Sequence, residues 1–290
     1  MEERNKLTKK VGILGIIGNL FLFIIKIIVG LMSHSRAMIA DSLNSAGDVF
    51  ASFMTWLGNK ISSVPNDDDH NYGHGKAEYI FTMLIGISMM IVALKLFYDS
   101  FMSIVNDDIV IFSWNLLITS IVTIIVKLFL YFYSKKKYLK CHNLLIKSNM
   151  LDHRNDIFLT SLTILSIIFS FLGVYVIDGI VGILISNWIL VTGIKLYRES
   201  YNILMDQAID KKSQKMILSV IKKNKTIKRI GNIYSIPVGY KYIIIISIFV
   251  DGKMSTVKSH EITDKIESEI IEKVDKVGNV IVHVEPYVEE

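Results

Sequence analysis

Apolar residues run through this chain in blocks too long for globular strands. A membrane-spanning helix needs roughly 20 mostly apolar residues. Segments 11–32, 79–103, 110–133 and 174–199 meet that length. Two further segments keep the length but are interrupted by polar groups: 36–61 carries Asp41, Asn44 and Asp48, and 145–172 carries Asp152, His153, Arg154 and Asp156. A strict hydropathy window misses both, yet an even count of six helices returns the chain to the side on which it started. The first apolar run, Val11 to Met32, exceeds a signal-peptide core and follows a polar segment 1–10, so it is expected to stay as a spanning helix rather than be cleaved.

The pattern changes after about Leu204. Residues 211–225 read as an amphipathic helix and 228–237 and 240–251 as strands joined near Gly239. Ser255 or Thr256 can cap a helix running to about Val274, and 279–287 form a last strand. The order αββαβ predicts a small α+β domain with its helices on one sheet face. The expected organisation is therefore an N-terminal segment 1–10, a six-helix transmembrane domain 11–203 and a cytoplasmic α+β domain 204–290.

Composition supports a multi-pass membrane protein. Hydrophobic residues make up 51% and charged residues 20%, and the mean hydropathy is +0.45, whereas soluble domains carry about 25% charge. The net charge of +5 is modest, and no basic block is built for nucleic acid. A single cysteine, Cys141, excludes disulfide frameworks, cysteine zinc sites and iron–sulfur clusters, and reads as a passive thiol. Lysines concentrate on one side of the predicted topology: in the N-terminal segment, the 62–77 loop and the 134–142 loop, with Lys135, Lys136, Lys137 and Lys140. The opposite loops, near 104–109 and 173, have no Lys or Arg, which places both termini in the cytoplasm, whether in a cell inner membrane or a plasma membrane.

Asn44 and Asp48 are spaced i, i+4, as are Asp152 and Asp156. Four helical steps return a side chain to within about 40°, so each helix presents two oxygen ligands on one face. An ionised Asp at mid-helix costs about 2.5–3.5 kcal/mol on insertion scales. Three of them need an offset, and a divalent cation with exchangeable protons supplies one. Pairing with Lys26 or Lys127 is another way to hold them. Arg154 sits two positions from each Asp of its helix, about 160° round, and does not share their face. The stretches Leu43-Asn44-x3-Asp48-Val49-Phe50-x-Ser52 and Leu151-Asp152-x3-Asp156-Ile157-Phe158-x-Thr160 also resemble each other, on helices predicted to run in opposite directions. Asp41 reads as a first-turn residue. His34, His142 and His153 read as interfacial, and Lys26 and Lys95 as snorkelling or bundle-pairing lysines. The loop Pro65-Asn-Asp67-Asp68-Asp69-His70-Asn-Tyr-Gly73-His74-Gly75-Lys76-Ala-Glu78 is dense in metal-binding side chains. Asp67, His70 and His74 can close a mixed N/O site around Gly73 and Gly75. A solvated acidic loop accounts for the same residues equally well.

With Asp48-x2-Ala51-Ser52, that loop, Met150-x-Asp152-x3-Asp156 and the αββαβ tail, the chain resembles the cation diffusion facilitators along essentially its whole length. The resemblance implies a homodimeric divalent-metal/proton antiporter in the lipid bilayer, with no cofactor beyond the metal it carries and no enzymatic activity. Its tail domain would be a metallochaperone-like, ferredoxin-like fold. By the same resemblance the intramembrane metal site comprises Asn44, Asp48, Asp152 and Asp156, and the loop site Asp67, His70 and His74. His260, His283 and Glu285 match positions that can ligate metal in the tail, although Ser247 stands where a further His is common. Lys76 is expected to pair with Asp206. The all-oxygen intramembrane set and Asn44 resemble the manganese-exporting branch and favour Mn²⁺, with Fe²⁺ and Co²⁺ as further substrates. A zinc exporter of the same family is the alternative. A membrane metallohydrolase is a weaker one, since no HExxH signature is present.

Overall fold

The computed structural model describes residues 2–32, 36–106, 114–171 and 176–287. Six long helices come first: α1 (Glu2–Met32), α2 (Arg36–Ser62), α3 (Ala77–Val105), α4 (Trp114–Cys141), α5 (Leu144–Phe171) and α6 (Val176–Leu204). They are followed by α7 (Lys211–Lys222), β1 (Arg229–Val238), β2 (Lys241–Asp251), α8 (Thr256–Lys273) and β3 (Val277–Tyr287). The αββαβ order matches the expectation. His34, the side chain of Asp41, and most of the two loops expected to lack basic residues lie outside the described residues.

The chain divides into two compact units, 1–64 with 77–201, and 65–76 with 202–290. Among the described residues of the helical unit three spans, Glu2–Met32, Ala77–Val105 and Leu117–Cys141, are long and apolar enough to cross a membrane by themselves. Their outward faces carry large apolar side chains such as Ile17, Leu94, Ile125 and Phe129. α1 and α2 pack closely because Gly12 sits against the backbone of Trp56, where an added Cβ would lie only 3.0 Å from it. Small residues at such crossings let helix backbones approach inside a bilayer.

α1 and α4 run furthest past the ends that the apolar pattern predicts. α1 starts at Glu2 because its polar first turns are anchored: Arg4 Nη1 lies 2.7 Å from Glu78 Oε2, and Nη2 donates to Oε1 at 2.7 Å. α4 continues to Cys141, so Lys135, Lys136, Lys137 and Lys140 lie on helix and not in a loop. Hydropathy ends where the apolar residues end, whereas lysine is a good helix former and extends the rod into water. Asn143 then caps α5 by accepting from the Ile146 N–H at 3.1 Å, and Glu78 accepts from the Leu144 N–H at 3.0 Å.

In the second unit β1 pairs antiparallel with β2, and β2 pairs parallel with β3 after the α8 crossover. The period of two along β2 sends Ile244, Ile246 and Ile248 inward, where they meet Ile217 and Ile221 of α7 and Ile266 and Ile270 of α8. Gly239 makes the β1–β2 turn at φ +59°. Asp210 caps α7 by accepting from the Ser213 N–H at 3.0 Å, and Ser255 caps α8.

Candidate metal-transport site

A buried charged cluster of the helical unit lies where α2, α4 and α5 meet. Asp48 and Asp156 are 8% and 7% exposed, and Lys127 of α4 is 1% exposed. Lys127 Nζ donates to Asp48 Oδ2 at 2.7 Å and to Asp156 Oδ2 at 2.5 Å. Two of the four expected intramembrane ligands are thus drawn to one point by a lysine that the sequence offered only as an alternative partner. The other two stand apart from it. Asn44 is exposed, and Asp152 is half-buried with an Oδ2 that has no hydrogen-bond partner. Asn44, Asp48 and Asp156 line two cavities. One is small, about 50 Å³, and is shared with Lys26, Ser120, Thr123 and Lys127. The other, about 340 Å³, is shared with Asp152, Asn155, Ser88 and Lys95.

Buried amides hold the backbone under this cluster. Asn19 of α1, fully buried, donates from Nδ2 to the Asp48 carbonyl at 3.0 Å and to Ser52 Oγ at 3.0 Å. Asn149 of α5 donates to the same Ser52 Oγ at 3.2 Å. α1, α2 and α5 are therefore tied together one turn along from Asp48.

His153 departs from its expected interfacial role. It is 0% exposed, neither ring nitrogen has a partner, and a ring nitrogen lies within 4.8 Å of carboxylate oxygens of Asp152 and Asp156. Its signal was its place inside the run Asp152-His153-Arg154-Asn155-Asp156. Arg154 points away, as its helical angle predicts: Nη2 donates to Thr192 Oγ1 at 3.2 Å, and the guanidinium lies 5.3 Å from the Trp188 ring centroid.

The loop residues gather in the second unit. Asp67 Oδ1 lies 3.0 Å from His70 Nδ1 and accepts the His70 backbone N–H at 2.7 Å, while Asp67 Oδ2 lies 3.6 Å from His74 Nε2. The ligand atoms of all three fall within 4.8 Å of one another. Desolvation acts to raise the Asp67 pKa, but the hydrogen bonds from the backbone and imidazole of His70 and the charges of His70 and His74 bring it below the ordinary carboxylate range. Gly73 turns the loop at φ 71°. Lys76 Nζ pairs with Asp206 Oδ1 at 3.1 Å.

The tail residues are less gathered. His283 Nε2 lies 3.6 Å from Glu285 Oε1, and His260 Nδ1 pairs instead with Asp264 Oδ1 at 3.1 Å. His260, Asp264 and Glu285 line an open cleft of about 480 Å³. Among the described residues, His260, His283 and Glu285 do not close into a group with ligand atoms within 4.8 Å.

Residues 12–205 match the cation efflux transmembrane domain, and residues 209–287 match the cation efflux protein cytoplasmic domain. The chain belongs to the cation efflux family. It is 29% identical to the manganese efflux system protein MneP of Bacillus subtilis, over 99% of this chain and 99% of that one. It is 27% identical to MneS of the same organism, another manganese efflux system protein, again over 99% of each. Against the cation-efflux pump FieF of Shewanella oneidensis the identity is 26%, over 92% of this chain and 90% of that one. As a family member this chain is a multi-pass membrane transporter that exports divalent metal cations, and not an enzyme.

Proposed function

We propose that this chain is a homodimeric Mn²⁺/H⁺ antiporter with both termini in the cytoplasm, and that Asn44, Asp48, Asp152 and Asp156 carry the ion across the bilayer. The observation that carries this reading is the convergence of Asp48 from α2 and Asp156 from α5 on one buried point, with Asn44 and Asp152 one helical turn from them on the same cavity. All four offer oxygen, which suits manganese among the transition metals. The similarity to two manganese efflux proteins over nearly the full chain points the same way.

In this mechanism the carboxylates bind the ion from the cytoplasmic side, and rocking of the helices exposes the site outward. Protons then compete for the same oxygens and release the ion. Asp67, His70 and His74 form a second, accessible metal site on the loop. His260, His283 and Glu285 supply ligands in the tail domain. Zinc export is the second reading. It is favoured by His153, which puts a nitrogen donor within 4.8 Å of two carboxylates, and zinc prefers such mixed N/O surroundings.

The deciding experiment is transport in proteoliposomes with an imposed pH gradient and a panel of Mn²⁺, Fe²⁺, Co²⁺ and Zn²⁺. Mn²⁺ is expected to move best, and Asp48→Ala and Asp156→Ala to abolish transport without unfolding the protein. Strong Zn²⁺ movement with none of Mn²⁺ would overturn the substrate assignment. Robust transport by either Ala variant would overturn the site.

A further inference from the structure

We infer that Lys127 is a tethered competitor for the transported metal: its ammonium occupies Asp48 and Asp156 in the metal-free protein and must leave them when the ion binds. This rests on the reading of Asn44, Asp48, Asp152 and Asp156 as the transport site. The oxygens a metal would need, Asp48 Oδ2 and Asp156 Oδ2, are the two that Lys127 Nζ contacts, at 2.7 and 2.5 Å. A cation bound between them cannot share that space with an ammonium at hydrogen-bond distance. Asp152 Oδ2, by contrast, has no hydrogen-bond partner and is not engaged by Lys127.

Lysine suits the role. Its charge is a compact ammonium on a flexible four-carbon stem, which can swing without moving its helix. The cavity of about 50 Å³ beside it supplies the destination, since Ser120, Thr123 and Thr160 line it and offer hydroxyl oxygens to the displaced ammonium. Lys26 lines the same cavity, and its like charge keeps Lys127 from settling there and favours its return. Lys127 offsets one of the three carboxylate charges and so lessens their mutual repulsion when no ion lies between them. Lys127 thus keeps the empty site tolerable inside the bilayer and stands ready to retake its carboxylates when the ion departs.

The test measures the Mn²⁺ binding and transport that Asp48→Asn abolishes, in the full-length chain. Lys127→Met removes the competitor while keeping the stem's bulk. It is expected to bind Mn²⁺ at least about tenfold more tightly than the unmodified chain and to turn over more slowly. Lys127→Arg keeps the charge but holds carboxylates with a two-pronged fork, so Mn²⁺ binding is expected to weaken several-fold. Loss of a merely structural contact would not tighten binding in one variant and loosen it in the other. A Met variant that folds only when purified with Mn²⁺ also supports the inference, because the metal then replaces the lysine. A Met variant that binds no more tightly than the unmodified chain, or folds in neither condition, overturns it. If Asp48→Asn leaves Mn²⁺ binding intact, the transport-site reading itself falls, which separates the two failures.

Discussion

Replacing Asp48 and Asp156 by Asn, singly and together, probes the Asp48–Lys127–Asp156 cluster most directly. Each contact to Lys127 is worth about 6 kcal/mol of Coulomb attraction at an effective dielectric constant near 20. Desolvation offsets most of that, at several kcal/mol per buried ion. Removing one carboxylate sacrifices one attraction but relieves the repulsion between the two carboxylates and the desolvation of one. The net loss is therefore expected to be only about 1–2 kcal/mol, with Lys127 still held by the remaining partner. Removing both leaves a lysine that is 1% exposed without either partner, and breaking a buried pair that way costs about 3–5 kcal/mol. The double loss should exceed the sum of the singles by roughly 1 kcal/mol or more. Thermal unfolding of the full chain in detergent reads this out. At about 2–4 °C per kcal/mol, single variants should lose a few degrees and the double on the order of 10 °C. Additive losses, or a double variant as stable as either single, would show that the two aspartates do not act through one lysine.

Replacing Asp152 by His adds a nitrogen ligand where an oxygen has no partner, so Zn²⁺ transport should rise relative to Mn²⁺ in the proteoliposome assay; an unchanged ratio would remove Asp152 from the selectivity determinants. Asp210 is held below the ordinary carboxylate range by the hydrogen bond from Lys276 and the Ser213 N–H, against slight desolvation. A depressed folded pKa stabilises above the unfolded value of about 3.9 and is lost as pH falls below it. Asp210→Asn, which keeps a capping side chain, should thus melt earlier than the unmodified chain at pH 7, and the gap should close below about pH 4. Asp210→Ala should cost about 1 kcal/mol more through the lost cap. Lys76 and Asp206 are 44% and 56% exposed, so reversing either charge should cost at most about 1 kcal/mol, and the double swap should restore most of it; a swap no better than the singles would mean the pair is uncoupled.

Much of this architecture is legible in the residues. Apolar length marks the spans, and the i, i+4 repeats mark the faces of α2 and α5. The Asp67, His70 and His74 cluster is local enough that spacing alone brings it together. The placement of Lys127 is not legible in the same way. A lysine inside an apolar run can snorkel to the interface or turn inward, and the choice depends on which face of α4 meets α2 and α5, a property of the packed bundle. His153 is hidden for a related reason, because a residue next to Asp152 faces elsewhere on the helix, yet here the packing buries it. Of the tail residues, His283 and Glu285 share one face of β3 and come within 3.6 Å, but His260 lies on α8, and no short spacing fixes the geometry between the two elements.

The internal likeness between Asn44-x3-Asp48 and Asp152-x3-Asp156 gains physical content from this placement. If the two stretches are equivalent, Asp48 and Asp156 occupy the same position in each, and these are the two that one lysine bridges. The paired first members differ: Asn44 is neutral and exposed, and Asp152 is charged, half-buried and missing a partner at Oδ2. The second members are therefore bridged by one lysine, while the first members make the cluster asymmetric. Under the proposed transport role, a fourth carboxylate at position 44 would add one negative charge to the cluster that Lys127 and Lys26 face inside the bilayer. A neutral amide there adds none and still offers its carbonyl oxygen to an ion, so residues 44 and 127 should be read together.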